Sequence, residues 1–555
     1  MVEFLPNNKI ITSIDNAINC HNRSTRDSIA SLSNDDDFKL IFDQTIRQDK
    51  ERVFKKLQKF SNLKVVSVKD FRKDPQNIFT AHEALSYLDG SLATKFTVQF
   101  NLFGGTLIAL GTEKHEKYLD LIDKLNVIGC FCLTEVGYGN NAVEMETTAT
   151  YDSKTKEFVI NCPTVKSQKF WITNGAYHAN YAIVFAQTIV NNKNEGINAF
   201  LVRIREDDGS TSKGVTIDDM GHKMGMNGVD NARIIFRNVR CDSNSLLNKI
   251  GNINIENSTF SSVIQGRRAR FIYAADRLLS GRLCISSMMI SAAKLALVNT
   301  IYYAKGRLSN GKSGKSDTPI FNYQLFQNQI IPLLGRTLIQ NVALIKIREF
   351  YSSYIIMENS KTLTDKEKTY LKEHKNYMIR LCCVIKPLIC WHTNEVGNIC
   401  RERCGGQGYL SINLLDSAIN GAHSGITAEG DAAVLMQKVS KEYVEDFVKQ
   451  KLRNDEIKIY KYNDVLNKNS SSKLKDKLSK LDNIYELDIL MELLCVREII
   501  LLGHLAQVTA KNINNIYDTW MLNESNTIQE LSKCYGVRMG LELFIKSSLF
   551  EDKKQ

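Results

Sequence analysis

The sequence predicts a mainly helical protein with a central β-domain, and three observations support this prediction. Helical periodicity runs from Phe38 to about Asn126 and returns from about Ser261 to Gln450. Between these regions, about 110 residues form short runs in which apolar and polar side chains alternate, as they do in half-buried strands. The chain holds only six prolines in 555 residues, which suits long helices because proline interrupts their hydrogen bonds.

The alternating region predicts the strands of the β-domain. Asp152–Thr155 joins the first two of them as a hairpin. Many short strands without intervening helices imply an antiparallel sandwich or barrel. The predicted strands are Glu146–Tyr151, Glu157–Asn161, Ala182–Gln187, Asn198–Ile204 and Ala232–Phe236.

The length suggests two to four domains, and the changes in pattern along the chain place their boundaries. Residues 454–482 are rich in serine, lysine and asparagine, which is typical of a linker. An amphipathic helix is predicted after it, at Glu486–Asn512. The predicted domains are an N-terminal helical domain (1–126), a β-domain (127–245), a helical bundle (246–453) and, after the linker, a short C-terminal helical domain (483–555).

Composition excludes several classes of function. The chain has thirteen cysteines, an odd number at irregular spacing, which predicts free thiols. We expect no metal site, because none of the close cysteine pairs is joined by a second pair with nearby histidines to complete a tetrahedral set of ligands. We also expect no membrane span, because charged residues interrupt the most apolar stretches. The net charge is +11, but the basic residues are scattered along the chain and interleaved with acidic ones, which argues against binding of nucleic acid. The positive charge does favour a phosphate-rich ligand such as coenzyme A.

Short motifs follow one another in a fixed order along the chain: Asp89–Ala93, Phe103–Gly105, Gly111–Thr112, Leu133–Asn140, Trp171–Asn174 and Ala428–Asp431. This series resembles the acyl-CoA oxidases, flavoenzymes of the acyl-CoA dehydrogenase superfamily. The resemblance implies an acyl-CoA dehydrogenase-like fold with an additional C-terminal helical domain. It also implies FAD-dependent conversion of acyl-CoA and O2 into trans-2-enoyl-CoA and H2O2, a step of fatty acid β-oxidation.

Glu429 is the predicted catalytic base. Removing a proton from Cα and hydride from Cβ requires a base and a hydride acceptor, and no side chain accepts hydride, so a cofactor is needed. Glu429 lies in the family's Glu-Gly-Asp motif at a predicted junction between a loop and a helix, and an apolar pocket would raise the pKa of its carboxyl towards working pH. Gly430 and Asp431 complete the motif and are predicted to contact FAD.

The resemblance assigns FAD-binding roles to two further segments. Thr134 and Glu135 lie in the segment that runs along the flavin in relatives, where Thr134 bonds the isoalloxazine ring, and Gly139 would let the backbone approach the ligand. Trp171 would pack against the ring and Thr173 would bond near its N5. The Trp171–Asn174 sequence is closer to the dehydrogenase form of this segment than to the Trp-Pro-Gly-Gly type of oxidases.

The remaining predicted FAD contacts come from the helical bundle. Arg307 matches the arginine that grips the FAD diphosphate of the adjacent subunit, a contact that suits a planar guanidinium. Gln324 matches a glutamine on the adenine side of FAD. Gly405 and Gly406 match glycines that contact FAD from the same direction. Because Arg307 matches a residue that reaches across subunits, we expect a homodimer.

Two alternatives to an oxidase stay open at this point. One is a dehydrogenase that passes electrons to an electron-transfer flavoprotein, which the Trp171–Asn174 segment favours. The other is a weakly active or inactive acyl-CoA-binding member, which Ala428 would permit because many relatives have tyrosine there. The resemblance implies a peroxisomal location, although the sequence ends Asp552–Gln555 and not in a Ser-Lys-Leu type signal.

Overall fold

A computed structural model of the chain describes residues 8–276, 279–360, 362–452 and 486–547. The chain divides into two compact units. The β-containing unit comprises His21–Tyr302 and Cys400–Gly425, and the helical unit comprises Met1–Cys20, Tyr303–Ile399 and Ile426–Gln555. The predicted linker, 454–482, lies outside the described residues, and the predicted domain boundaries stay a prediction.

Helices dominate the first 126 residues, as the sequence predicts. Capping residues mark their starts: Thr45 accepts from the Gln48 backbone N–H at 3.3 Å, and its own N–H donates to the Gln48 side chain at 2.8 Å. A π-helical stretch, Thr97–Gly104, connects two of the helices. The helices are α1 (Asn8–Ile18), α2 (Arg23–Ser31), α3 (Ile46–Asn62), α4 (Asp70–Lys73), α5 (Pro75–Leu88), α6 (Gly90–Phe96), α7 (Gly105–Leu110) and α8 (Leu119–Asp123).

The β-containing unit is built on two sheets. The larger sheet has the strand order β1-β5-β2-β3-β9, with β6 paired to β5, and the smaller has the order β4-β8-β7. Apolar side chains from both sheets form one buried cluster that includes Phe158, Phe200 and Phe236. The strands are β1 (Gly129–Cys132), β2 (Thr148–Asp152), β3 (Glu157–Asn161), β4 (Lys169–Ile172), β5 (Tyr181–Val190), β6 (Lys193–Arg203), β7 (Val215–Asp219), β8 (Ala232–Phe236) and β9 (Val239–Asp242).

All five predicted strands are present, and the β2–β3 hairpin forms at the predicted turn. The larger sheet is mixed, however, because β5 pairs in parallel with both β1 and β2. This corrects the expectation of an antiparallel arrangement. The physical reason is that alternation of side chains reports burial on one face of a strand and carries no information on the direction of its neighbour.

Long helices return after the sheets, with two small hairpins among them. The β10–β11 hairpin is Gly251–Asn254 with Thr259–Ser262, and the β12–β13 hairpin is Leu308–Asn310 with Ser316–Pro319. The helices are α9 (Arg267–Asp276), α10 (Leu279–Gly306), α11 (Gln324–Glu358), α12 (Asp365–Arg403), α13 (Leu415–Thr427), α14 (Ala432–Leu452), α15 (Leu487–Lys511) and α16 (Ser525–Ile545).

The last two helices are tied to the rest of the helical unit by a buried polar cluster. Glu498 on α15 is fully buried and accepts from Arg538 on α16 at 2.8 and 3.1 Å and from the Tyr443 hydroxyl on α14 at 2.5 Å. A buried carboxylate is tolerated when it is paired and hydrogen-bonded. The predicted helix at Glu486–Asn512 is therefore confirmed as α15, and its polar residues anchor it to its neighbours.

Two segments, Arg267–Gly306 and Gln324–Glu358, are long and apolar enough to cross a membrane by length and composition. Their most apolar stretches are 67% and 50% buried against the protein's own residues. The core helices of soluble proteins have the same properties, so these two segments are weak evidence for a membrane.

All thirteen cysteines are free thiols, as predicted. Burial raises the pKa of the Cys390 thiol to about 12, as it does for Cys400, so these side chains behave as small apolar residues.

Candidate active site

The two segments predicted to lie along a flavin are neighbours in the β-containing unit. The backbone N–H of Phe170 donates to the Thr134 carbonyl at 3.0 Å, and that of Val136 donates to the Gln168 carbonyl at 3.0 Å. Glu135 and Lys169 form an antiparallel bridge between these contacts. The structure thus brings Thr134 close to the Trp171–Asn174 segment, although 37 residues separate Thr134 from Trp171 in the chain.

The side chain of Glu135 bonds to neighbouring residues of the protein. Its side chain is 2% exposed, and its carboxylate accepts from Lys169 Nζ at 2.9 Å, from the Glu146 N–H at 2.8 Å and from the Thr147 hydroxyl at 2.5 Å. With a fourth bond, from the Thr147 N–H at 3.1 Å, these contacts occupy the roughly four acceptor sites of the carboxylate. The carboxylate of Glu135 is therefore held by the protein's own groups, and its contact with FAD stays a prediction. It fixes the backbone of its neighbour Thr134.

Trp171 has an unusual backbone and an unusual exposure. Its φ is +61°, a left-handed conformation that is uncommon for a bulky side chain. The pairing of β4 with β8 shifts register between Lys169 and Ile172, which is where this conformation is accommodated. The side chain is 56% exposed. A strained backbone that presents an apolar ring outwards is typical of a ligand-contacting position.

Thr173 has a hydroxyl that is oriented by its neighbours. The Asn231 side-chain amide donates to Thr173 Oγ1 at 3.0 Å. Because the oxygen accepts this bond, the hydroxyl hydrogen remains available for donation to an acceptor atom. This is the property that bonding near a flavin N5 requires.

A buried ion pair supports the Trp171–Asn174 segment. Lys95 and Asp230 are both fully buried and directly paired, and Lys95 Nζ also donates to the Asn174 side-chain oxygen at 2.9 Å. Burial alone would raise the pKa of Asp230, but Lys95 and His178 outweigh it and hold that pKa well below its usual range. Burial lowers the pKa of Lys95 despite the opposing effect of Asp230. We take the pair to be ionised because each partner satisfies the other's charge.

The glycines of the segments predicted to bind the cofactor fall into two kinds. A Cβ on Gly139, Gly405 or Gly406 would meet no described atom within 4 Å, so their backbones can be approached closely. Gly405 also has a φ of +59°, which favours glycine. Gly137 differs, because a Cβ there would lie 2.7 Å from the Lys166 side chain. The structure therefore accounts for Gly137 by packing and for Gly139 by accessibility.

Arg307 and Gln324 lie on either side of the β12–β13 hairpin in the helical unit. The Ile320 N–H donates to the Arg307 carbonyl at 2.9 Å, and Tyr323, which precedes Gln324, donates its hydroxyl to the Asn310 carbonyl at 2.7 Å. Both side chains are exposed. Within the part of the chain that the structure describes, Arg307 makes no ion pair, so its guanidinium can take up an anionic group.

Glu429 lies in a four-residue turn between α13 and α14, also in the helical unit. Its φ is +57° and that of Gly430 is +95°, so two successive residues are left-handed. This left-handed conformation is energetically unfavourable for a glutamate. Glu429 is half-buried. The predicted junction between a loop and a helix is confirmed.

Asp431 caps the helix that follows Glu429. Its carboxylate accepts from the Ala433 N–H at 2.9 Å and from the Val434 N–H at 3.4 Å, the pattern of an N-cap residue at the start of α14. That Asp431 also contacts FAD stays a prediction. The aspartate of the Glu-Gly-Asp motif ends the turn and fixes where α14 begins.

The Glu429 turn is also held by a lysine that sequence reasoning missed. Lys386 on α12 is fully buried, and its Nζ donates to the carbonyls of Ile426 at 2.9 Å and Gly430 at 2.7 Å. Lys95 and Asp230 were missed as well. The signal that could have found them is a charged residue inside an apolar run, such as Lys386 between Ile385 and Pro387.

The comparisons with known proteins match this architecture. The model of the acyl-CoA dehydrogenase middle domain matches residues 130–239, and that of the acyl-CoA oxidase C-alpha1 domain matches residues 276–444. The solved structure of acyl-CoA oxidase 3 from Yarrowia lipolytica superposes with a TM-score of 0.83 at 22% identity, over 98% of this chain and 79% of that one. The fold is therefore that of the acyl-CoA dehydrogenase superfamily.

Sequence relatives narrow the class further. Peroxisomal acyl-coenzyme A oxidase 2 of Arabidopsis thaliana is 34% identical over 417 residues, which cover 72% of this chain and 58% of the relative. Human peroxisomal acyl-coenzyme A oxidase 3 is 31% identical over 403 residues, which cover 72% of this chain and 56% of the relative. The chain belongs to the acyl-CoA oxidase family. It spans just over half the length of these curated relatives.

Proposed function

We propose that the protein is an FAD-dependent acyl-CoA oxidase, which converts acyl-CoA and O2 into trans-2-enoyl-CoA and H2O2. The observation that carries this proposal is Glu429, a half-buried carboxylate in a turn with two left-handed residues. A strained, well-supported turn of this kind is typical of a side chain that is positioned for chemistry. Membership of the acyl-CoA oxidase family supplies the class of reaction.

The chain's residues fit FAD as the cofactor. Thr173 can donate its hydroxyl hydrogen, and Trp171 presents an apolar ring, so together they suit the edge and the face of an isoalloxazine. Arg307 supplies an exposed guanidinium for a diphosphate. The solved acyl-CoA oxidase 2 of Caenorhabditis elegans, at a TM-score of 0.76 and 21% identity, is described as bound with FAD, ascaroside-CoA and ATP. When bound, FAD would accept the hydride from the substrate's β-carbon.

The chain itself performs the proton chemistry. The carboxylate of Glu429 takes the proton from the α-carbon of the acyl thioester, and it must be ionised to do so. Its short turn, bounded by α13 and by the Asp431 cap, limits the directions in which it can reach. A fixed base gains rate because the reacting groups do not have to find each other.

The remaining assignments follow from the family. We infer acyl-CoA as the substrate, since the net charge of +11 favours a ligand rich in phosphate. We infer a homodimer, since Arg307 matches a residue that contacts the partner subunit's cofactor. We infer a peroxisomal location, since the relatives from Arabidopsis thaliana and Homo sapiens are named peroxisomal.

Oxygen consumption tests the proposal. The purified full chain, with FAD bound, is mixed with palmitoyl-CoA in air without any other electron acceptor. We expect oxygen uptake with one H2O2 and one trans-2-enoyl-CoA formed per O2 consumed. A yellow protein that consumes no oxygen, or a protein that cannot be loaded with FAD, would contradict the proposal.

A dehydrogenase is the second candidate, and one observation favours it. The Trp171–Asn174 sequence is closer to the dehydrogenase form of the flavin segment than to the Trp-Pro-Gly-Gly type of oxidases. A dehydrogenase would form enoyl-CoA only when an artificial electron acceptor is added, and its rate would be the same with and without air.

A further inference from the structure

Lys386 is a buried cation whose hydrogen bonds converge on the turn that carries Glu429. It lies on α12, and its side chain is fully shielded from solvent. Its ammonium donates to the carbonyl of Ile426 at 2.9 Å and to that of Gly430 at 2.7 Å. These carbonyls lie three residues before Glu429 and one residue after it, so one side chain bridges both ends of the turn.

The two acceptors are carbonyls that need a partner. Helix α13 ends at Thr427, so the Ile426 carbonyl belongs to its last turn, where carbonyls lack partners within the helix. The Gly430 carbonyl follows a left-handed residue and precedes α14. A positive charge at a helix C-terminus is also favoured by the helix dipole. Charge-assisted bonds of this kind are roughly twice as strong as neutral ones.

The cost of burying Lys386 makes a purely packing role a poor explanation. Removing an ammonium from water costs several kcal/mol, and an apolar side chain of similar volume often stabilises a protein as well or better. Methionine has nearly the same shape and would fill the same space. The lysine is therefore best explained by what its ammonium does to the turn.

We propose that Lys386 is a positioning residue for the reaction: by bridging the Ile426 and Gly430 carbonyls, it holds the strained turn that aims the Glu429 carboxylate at the substrate's α-carbon. This inference rests on the proposed function, because it assigns Lys386 to the same proton transfer. It concerns how the base is held and not which cofactor or electron acceptor is used.

The test compares Lys386→Met with the wild type in the FAD-loaded full chain. With palmitoyl-CoA, we expect kcat to fall about 10- to 100-fold while KM changes less than about threefold, because a displacement of about 1 Å costs up to 10²-fold in rate. Lys346→Met is the matched control, since it removes a part-exposed lysine on α11 of the same unit that pairs with Glu349. The control should keep the wild-type kcat and KM.

A second measurement isolates the proton transfer from the transfer of electrons. In a 3-thia acyl-CoA, sulfur replaces the β-carbon, so its α-protons can exchange but no hydride can leave. In D2O, Glu429 removes an α-proton and returns a deuteron, and mass spectrometry follows the exchange. We expect Lys386→Met to slow this exchange by the same factor as kcat.

The outcomes separate the inference from the function on which it rests. If the wild type shows neither exchange nor turnover, the proposed function fails. If the wild type exchanges and Lys386→Met exchanges equally fast, the inference is overturned. If Lys386→Met does not fold, Lys386→Arg is tested instead, because its larger planar group would displace the two carbonyls. A reduced kcat with unchanged KM in this variant supports the inference, and an unchanged kcat overturns it.

Discussion

The Trp171 turn and the Glu429 turn each hold a left-handed residue that is not glycine, but the fold supports them differently. Around Trp171, the supports are paired strands and two buried ion pairs, Lys169–Glu135 and Lys95–Asp230. Around Glu429, they include the Asp431 cap of α14 and the hydrogen bonds of Lys386. The first turn is thus supported by cross-linked strands, whereas the second is supported by a helix terminus and a buried lysine.

The two kinds of support suit the two proposed roles, contact with the flavin ring and removal of the α-proton. A flavin ring needs an extended surface of fixed shape, which strands with many cross-links provide. A base needs one carboxylate in one direction, which a short turn between two helices provides. Substitutions that weaken each support separately test whether the division holds.

The largest effect is expected at Glu429. Glu429→Gln keeps the size of the side chain but cannot accept the α-proton, so the rate of flavin reduction by palmitoyl-CoA should fall at least about 10³-fold. Stopped-flow absorbance under anaerobic conditions measures this rate. Glu445→Gln, an exposed carboxylate on α14, is the matched control and should keep the wild-type rate. A fast Glu429→Gln variant would remove Glu429 from the reaction.

The second effect concerns the Lys95–Asp230 pair. Asp230→Ala leaves a fully buried ammonium without its partner, so the free energy of unfolding should fall by about 3–5 kcal/mol. Urea unfolding of the FAD-free protein measures it. The double variant Lys95→Met with Asp230→Ala should recover much of the loss, since no buried charge then remains. If the double variant were as unstable as the single one, the pair would not be the support that we describe.

The third effect is a pH dependence in the helical unit. Burial, with a further contribution from Arg336, lowers the pKa of His392 to about 3, whereas an unfolded histidine titrates near 6.5. The neutral ring is therefore favoured in the folded state, and its contribution to stability is present above about pH 6.5 and lost as the pH falls towards 3. Relative to wild type, His392→Gln should lessen this loss by about 1.4 kcal/mol per pH unit between pH 6 and 4, measured by urea unfolding.

The fourth effect tests strain at Trp171. Trp171→Gly removes the cost of the left-handed conformation, so stability should rise by about 1 kcal/mol or stay unchanged, while affinity for FAD falls about tenfold. Thermal unfolding and flavin titration measure the two quantities. Asn192→Gly is the control, because Asn192 is exposed and has the same φ of +61° but asparagine tolerates it. A large loss of stability in Trp171→Gly would mean that the ring is a packing residue.

The smallest effect is expected at Asp431. Asp431→Ala removes the cap of α14, which should cost about 1 kcal/mol of stability, whereas Asp431→Asn keeps an acceptor and should cost less. Thermal unfolding of the two variants measures the difference. If the affinity for FAD fell in both variants without a loss of stability, Asp431 would be a contact of the cofactor and not only a helix cap.

Local patterns allowed much of the fold to be predicted. The β2–β3 hairpin follows from Asp152, whose side chain accepts from the Lys154 N–H at 3.0 Å and starts the turn. The parallel pairing of β5 with β1 and β2 could not be predicted, because it joins residues about 40 to 50 positions apart. Tertiary packing decides whether two distant strands pair in parallel or antiparallel, so a local sequence pattern does not predict it.

The candidate site shows the same limit. Roles for Glu429, Trp171 and Thr173 are predicted because each belongs to a short motif, and these roles stay predictions. Their supports could not be predicted, since Lys95 and Asp230 are 135 residues apart and Lys386 reaches a turn 40 residues further along the chain. Glu135 and Asp431 were assigned to FAD because they sit inside motifs, and the structure shows that their carboxylates bond the protein's own backbone.

The central claim, that this chain is an FAD-dependent oxidase of acyl-CoA, is tested most directly by one absorbance experiment. The FAD-loaded protein is mixed with palmitoyl-CoA without oxygen, and air is then admitted to the same cuvette. We predict that the flavin absorbance near 450 nm bleaches and recovers in air, with one H2O2 formed per flavin reoxidised. Bleaching that only an added electron acceptor reverses, or no bleaching at all, would contradict the account.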